Sequence, residues 1–192
     1  MIKFKDYKVD VPEGKIGKYE VKKFIVPEFT FQGGFRAVPA GEYTGLYRDS
    51  YLMMSDTPDE IRDHFEFIQK AKGNVFIGGL GIGMVLKALC RSEAVDHITV
   101  VEKSAEVIKL VEDHYLSQFP GKVTIIKADL MEFEPKRSDY WDYVWFDIWD
   151  NIDRDNLKDM KKLSNRFSKH ASWIDSWSRE LIGNNLQPSM AY

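Results

Sequence analysis

The sequence predicts an α/β protein: a short, mainly parallel sheet of about five strands in the order 3-2-1-4-5, preceded by a small N-terminal β appendage. Three observations carry that expectation. An apolar run meets a glycine cluster in Asn74-Val75-Phe76-Ile77-Gly78-Gly79-Leu80-Gly81-Ile82-Gly83-Met84, and a helical pattern of Val85, Leu86, Ala88 and Leu89 follows. Further strand-like runs over 98–101, 123–128 and 143–146 each lead into an acid: Glu102, Asp129 and Asp147. Helical patterns separate these runs, the alternation that builds parallel sheets.

In chain order, residues 1–56 lack a helical pattern. Tyr7, Val9 and Val11 alternate with polar residues, and 19–26 and 29–32 are strand candidates broken by Pro27 and Gly33-Gly34. The runs 43–48 and 51–54 flank Asp49-Ser50 and read as a hairpin, although Asp-Ser closes a two-residue turn less well than Asn-Gly. The many lysines of the first 20 residues alternate with Asp6, Asp10, Glu13 and Glu20, so they read as a solvated strand face. Thr57-Pro58-Asp59-Glu60 starts a helix over 58–72: Thr57 to cap, Pro58 for the first position and Glu60 to close a capping box. Ile61, Phe65 and Ile68 supply its stripe, and Gly73 ends it.

Residues 103–116 form the second crossover helix, with Val107, Ile108, Leu110 and Val111 inward, ended by Pro120-Gly121. A helix over 154–171 has Leu157, Met160, Leu163 and Phe167 on one face and Lys158, Lys162, Arg166 and Lys169 on another, a basic stripe that reads as solvated surface. A fifth strand over 171–177 and a last helical turn over 179–184 complete the reading, and that fifth strand would be a bare edge unless covered, which makes a homodimer one expectation.

The whole is read as an appendage, 1–56, and a ligand-binding domain, 57–192. A hydrophobic fraction of 44 % and a charged fraction of 30 % are those of a globular protein, and net charge −3 gives no global pull towards nucleic acid or anionic membrane. No apolar run nears 18 residues and no signal-peptide start is visible, so neither a membrane span nor export is expected. The single cysteine, Cys90, cannot form an internal disulfide, which fits a reducing cytoplasm, and it reads as a small core residue. The four histidines are scattered, and no metal site is expected.

The glycine turn carries the function. A backbone that turns sharply towards a ligand needs residues without a Cβ, and the helix that follows presents free N–H groups. The spacing Gly79-x-Gly81-x-Gly83 departs from the dinucleotide pattern G-x-G-x-x-G, whose last position would be Met84, and this weakens a nicotinamide reading. Glu102 stands 21 positions after Gly81, where nucleoside-binding α/β folds place an acid on the ribose hydroxyls. A carboxylate suits that task because it accepts two hydrogen bonds at once. Any one acid at a strand end is more often a helix N-cap or turn residue; it is the joint occurrence of four strand ends on one sheet edge, at these spacings, that points to a nucleoside site.

This G-x-G-x-G turn resembles motif I of class I S-adenosyl-L-methionine (SAM)-dependent methyltransferases, and the acid at Asp129 resembles the methyltransferase residue that accepts the adenine amino group. The resemblance implies a truncated Rossmann-like methyltransferase sheet with SAM as cofactor, held by Gly79, Leu80, Gly81, Gly83, Glu102, Lys103, Asp129, Leu130 and Asp147. Residues 41–150 look like the spermidine synthase (aminopropyltransferase) branch of that fold, in which a β-hairpin and a His-bearing helix precede the glycine strand. The hairpin 43–54, the helix 58–72 with His64, and Asp147-Ile148-Trp149-Asp150 as a D-x-x-D segment occupy those places. Two departures stand against polyamine chemistry: Ile82 sits where that branch carries the Asp that recognises the amine of decarboxylated SAM, and Ile148, Trp149 and Asn151 replace its serines and proline.

Asp147 is the candidate general base and Asp150 the candidate partner of a cationic acceptor, with Trp149 available to stack and Trp145 read as core. The functional expectation is a SAM-dependent methyltransferase with a small-molecule acceptor and no nucleic-acid partner. An aminopropyltransferase and a SAM-binding module without catalysis stay open beside it.

Overall fold

Alternating apolar and polar residues fold the N-terminal part into an antiparallel sheet. In the computed structural model, which describes residues 4–28 and 38–184, β1 (Gly14–Ile16), β2 (Tyr19–Val26), β3 (Gly41–Arg48) and β4 (Tyr51–Ser55) pair in sequence order. The strand expected over 29–32 lies outside the described residues. The hairpin forms despite its Asp-Ser turn. Asp49 and Ser50 both take left-handed conformations (φ 49° and 68°), as a type I′ turn requires. Asp49 N–H also donates to Lys18 O at 2.9 Å, so the turn is tied to the neighbouring β1–β2 connection. Asp56 anchors the sheet from inside. Its buried carboxylate accepts from Thr44 N–H at 2.7 Å and Val9 N–H at 2.9 Å, and burial raises its pKa.

Helix α1 (Pro58–Lys70) begins where Pro58 predicts, but not through a capping box. Thr57 makes no side-chain cap bond. Glu60 instead reaches back to Ser55, accepting from its N–H at 2.8 Å and its hydroxyl at 2.6 Å. The buried stripe is also shifted: Ile61, His64, Phe67 and Ile68 face inward, with Phe67 stacked on Trp145 at 4.8 Å between ring centroids. Phe65 is only half-buried, edge-on to Tyr7.

The second sheet follows the expected plan. Its elements are β5 (Gly73–Gly78), α2 (Met84–Cys90), β6 (Val95–Glu102), α3 (Ala105–Gln118), β7 (Val123–Lys127), β8 (Trp141–Phe146), α4 (Asn156–Phe167), β9 (Ala171–Ser176) and α5 (Arg179–Asn184). Strands run β7-β6-β5-β8-β9, all paired parallel, which is the order 3-2-1-4-5. Among the described residues β9 pairs on one side only. No helix there is long and apolar enough to cross a membrane.

Val75 and Ile77 of β5 face α1, α2 and α3, while Phe76 faces an aromatic layer of Trp141, Phe146 and Phe167 under α4. Val9, Val11, Tyr19, Val21 and Leu46 of the N-terminal part join the first of these layers, so the two sheets share one hydrophobic core. Cys90 is buried within it, and burial pushes its thiol up to about 12.

The helix expected over 154–171 is shorter, because Ala171 already opens β9. Its basic stripe is also incomplete. Lys158, Lys162 and Lys169 are exposed. Arg166 instead folds inward, its guanidinium donating to the carbonyls of Leu130, Met131 and Phe133 at 3.0 Å each.

Candidate active site

The chain leaves β5 and crosses the C-terminal edge of the sheet through Gly79–Gly83 into α2. Gly79 has φ +100°, and a Cβ there would fall 2.0 Å from the carbonyl oxygen of Asp147, where the chain exits β8. A Cβ on Gly81 would meet Met54 Sδ, also at 2.0 Å, and one on Gly83 would meet the Tyr115 ring at 2.2 Å. Tyr115 also donates its hydroxyl to Ile82 O at 2.9 Å. Protein atoms therefore pack close to the turn at all three glycines. Gly79, Leu80 and Gly81 line a cavity of about 390 Å³, whereas Gly83 lies outside its lining.

Both nucleoside-type acids reach this cavity. Glu102, at the end of β6, accepts from Leu80 N–H at 3.0 Å and from Ser104 N–H at 2.7 Å. It thus braces the glycine turn from the next strand, and a carboxylate so held still has lone pairs for a ligand. Asp129, just beyond β7, is exposed and accepts from Met131 N–H through one oxygen at 2.8 Å. Lys103 and Leu130 also line the cavity. Lys103 is exposed, while the Leu130 side chain is buried in the aromatic layer. Arg166 holds the carbonyls of Leu130, Met131 and Phe133 and so ties down the turn that follows Asp129.

Further acidic residues, Glu60, Asp63 and Asp147, line the same cavity. Asp147 N–H donates to Gly78 O at 2.7 Å, which sets the residue beside the glycine turn. Its Oδ2 stands 3.6 Å from His64 Nε2, and its side chain is 24 % exposed. Desolvation, reinforced by the charges of Glu60 and Asp63, pushes the Asp147 carboxyl up to about 7. Glu60 is raised to about 7 by desolvation and by Asp63 and Asp59, against the lowering effect of its bonds to Ser55. His64 is fully enclosed, which pushes it down to about 4, and its Nδ1 is buried without a hydrogen-bond partner. Asp63 Oδ2 accepts from Trp177 Nε1 at 3.3 Å.

Asp150 lines the cavity but is engaged, its Oδ2 2.7 Å from Arg48 of β3. Trp149 also lines it, with an indole nitrogen that is buried and without a partner. Trp145 is buried core, as is Ile82, which is fully enclosed. Among the described residues no cluster of His, Cys, Asp or Glu is placed to hold a metal ion.

Sequence reasoning brought together Gly79, Leu80, Gly81, Glu102, Lys103, Asp129, Leu130, Asp147 and Asp150, which share this one cavity. It missed Glu60, Asp63, Arg48 and Met54. A signal for the first two was present: positions 60, 63, 64 and 67 share one helical face, and it carries two acids and a histidine beside Phe67. Reading Glu60 as a cap hid that face. Arg48 and Met54 come from the N-terminal sheet, whose position over the glycine turn depends on long-range packing.

Neither a protein-family model nor a curated protein matches the sequence. By shape the chain is similar to coclaurine N-methyltransferase bound to N-methylheliamine and SAH, at 18 % identity over 59 % of this chain and 33 % of that one, with a TM-score of 0.45. It is similar to the methyltransferase domain of bacterial CtHen1 at 20 % identity, over 57 % of this chain and 58 % of that one, with a TM-score of 0.43. Against the plantazolicin methyltransferase BpumL in complex with SAH the identity is 16 %, over 67 % of this chain and 49 % of that one, with a TM-score of 0.41. The chain thus spans between a third and three fifths of the length of these three structures.

Proposed function

We propose that this chain is a SAM-dependent methyltransferase acting on a small-molecule acceptor. The observation that carries the reading is the convergence on one cavity of the Gly79–Gly81 turn, Glu102, Asp129 and Asp147. The residues present suit an adenosyl group: Glu102 for the ribose hydroxyls, Asp129 for the adenine amino group, and the glycine turn for the chain that carries the sulfonium. When bound, such a sulfonium supplies a methyl group already activated for displacement, with the carbon–sulfur electron pair leaving on sulfur.

The protein's own tasks are then to align the acceptor, to exclude water and to take up a proton. Asp147 is suited to the last, because a carboxyl near neutrality both receives and releases a proton at working pH. Methyl transfer is preferred to aminopropyl transfer because Ile82 is enclosed in the core and offers no group to an amine.

Calorimetry with SAM, S-adenosylhomocysteine, decarboxylated SAM and NAD tests the nucleoside site. Binding of the first two without NAD is the expected result, and equal affinity for NAD would refute it. Asp147→Asn tests the base. It should lower turnover roughly 10²–10⁴-fold with SAM affinity unchanged, whereas a residue that caps the following segment would tolerate Asn without loss.

A further inference from the structure

SAM and S-adenosylhomocysteine both end in an α-amino acid, so each brings a carboxylate into a cavity already lined by Glu102, Asp129, Asp147 and Asp150. Such a carboxylate is repelled unless a cation receives it. Among the described residues of the lining the cations are Arg48 and Lys103. His64 lines the cavity too, but burial leaves it uncharged above about pH 4. Lys103 is exposed and adjoins Glu102 at the exit of β6.

Arg48 comes from β3, and the hairpin register brings it near the glycine turn. Leu46 pairs with Met54 across the hairpin, and a Cβ on Gly81 would lie 2.0 Å from Met54 Sδ. Arg48 follows Leu46 on the same face of β3, about 7 Å along the strand, and both line the cavity. The pairing slips here from Leu46–Met54 to Tyr47–Leu52, so Met53 is bulged out of the ladder. Met53 and Met54 would point to opposite faces of a regular strand, yet both line the cavity. The hairpin is thus shaped to the cavity where Arg48 stands. Arg48 Nη2 donates to Asp150 Oδ2 at 2.7 Å. A guanidinium carries further N–H groups in a planar fork. The bond to Asp150 therefore orients it and leaves donors for a second carboxylate.

We propose that Arg48 receives the α-carboxylate of SAM, with Asp150 holding the guanidinium in place. The proposal rests on the SAM-dependent reading of the cavity and deepens it. It makes Arg48 the residue that distinguishes SAM from decarboxylated SAM, which keeps the sulfonium and the amine but lacks the carboxylate. Ile82 withholds a partner from an amine; Arg48 supplies one to a carboxylate.

The test is calorimetry on the full chain with S-adenosylhomocysteine and its decarboxylated counterpart, S-adenosyl-3-thiopropylamine. Wild type should bind the first about tenfold or more tightly than the second. Arg48→Gln should weaken S-adenosylhomocysteine about tenfold or more and leave the decarboxylated ligand within about twofold. Arg48→Lys keeps the charge without the fork and should recover part of that loss. Lys103→Gln should leave the ratio of the two affinities as in wild type. Equal wild-type affinities would overturn the proposal and leave the nucleoside site standing. So would an Arg48→Gln loss shared by both ligands, which would make Arg48 a structural tie between β3 and the β8 exit. A selective loss in Lys103→Gln instead would overturn it in favour of Lys103. Should Arg48→Gln fail to fold, the wild-type ratio and Arg48→Lys decide the matter. If neither ligand binds wild type, the nucleoside reading falls and the proposal with it.

Discussion

His64 Nε2 and Asp147 Oδ2 lie 3.6 Å apart in the lining of the cavity, and burial reverses their usual order of protonation. The carboxyl, pushed up to about 7, keeps its proton over a range in which the imidazole, pushed down to about 4, has none. In water the two would ionise the other way round, as carboxylate and imidazolium.

That inversion predicts a pH dependence of stability. Between about pH 4 and 7 the folded protein holds a proton on Asp147 that the unfolded chain has lost. The folded state binds more protons at this site, so its contribution to stability falls as pH rises through the window. His64 acts oppositely: from about pH 4 to 6.5 the unfolded chain holds a proton that the folded protein lacks, and stability rises with pH. Asp147→Asn removes the first effect alone. The variant should gain in melting temperature relative to wild type as pH rises from 4 to 7, and level off above. A difference that stays constant with pH would show that Asp147 ionises normally in the folded protein.

Glu102→Ala has two consequences that can be measured separately. It removes the proposed ribose ligand, a charge-assisted bond worth about 1.5–3 kcal/mol, or roughly 10–150-fold in affinity for S-adenosylhomocysteine. It also strips an acceptor from Leu80 N–H and Ser104 N–H, so the melting temperature should fall as well. Glu102→Gln keeps an acceptor for one of these donors and should recover part of the stability but little of the affinity. An unchanged dissociation constant in folded Glu102→Ala would exclude the ribose role.

The central sheet was legible because its signals are local. Each strand is a short apolar run, each crossover has its own helical period, and the glycine turn marks the joint. The placing of Glu102 and Asp129 on one cavity came with it, since both sit at strand ends that topology places on one edge. What the sequence hid is what crosses between elements. Glu60 is a helix-start residue by position, yet its carboxyl turns to Ser55 and the cavity. Asp150 looked free for a ligand until β3 brought Arg48 across to it. Arg166 fitted a surface stripe by spacing alone, and only the fold shows the three carbonyls that draw it inward.

Arg166 should therefore behave as a partly buried anchor. Arg166→Met leaves the carbonyls of Leu130, Met131 and Phe133 without their donor, and should cost about 2–4 kcal/mol in urea unfolding. Lys162→Ala, on the exposed part of the same helix, should stay within about 0.5 kcal/mol. Because those carbonyls belong to the turn after Asp129, Arg166→Met should also weaken nucleoside binding. A loss for Arg166→Met no larger than that for Lys162→Ala would return Arg166 to the surface stripe.

Gly79 and Gly121 separate backbone strain from crowding. Both have left-handed backbones, at φ +100° and +77°. A Cβ on Gly121 meets nothing within 4 Å, whereas one on Gly79 lies 2.0 Å from the Asp147 carbonyl oxygen. Gly121→Ala should thus cost only the conformational penalty, about 1–2 kcal/mol. Gly79→Ala adds a collision with backbone that cannot turn away, because Asp147 N–H is held by Gly78 O at 2.7 Å. Its loss should exceed about 3 kcal/mol, and any folded fraction should carry Asp147 displaced from His64. Urea unfolding of the two variants at a shared m-value gives the comparison. Equal losses would mean that the β8 exit yields freely, and Asp147 would then lack the fixed position that a base beside the glycine turn requires.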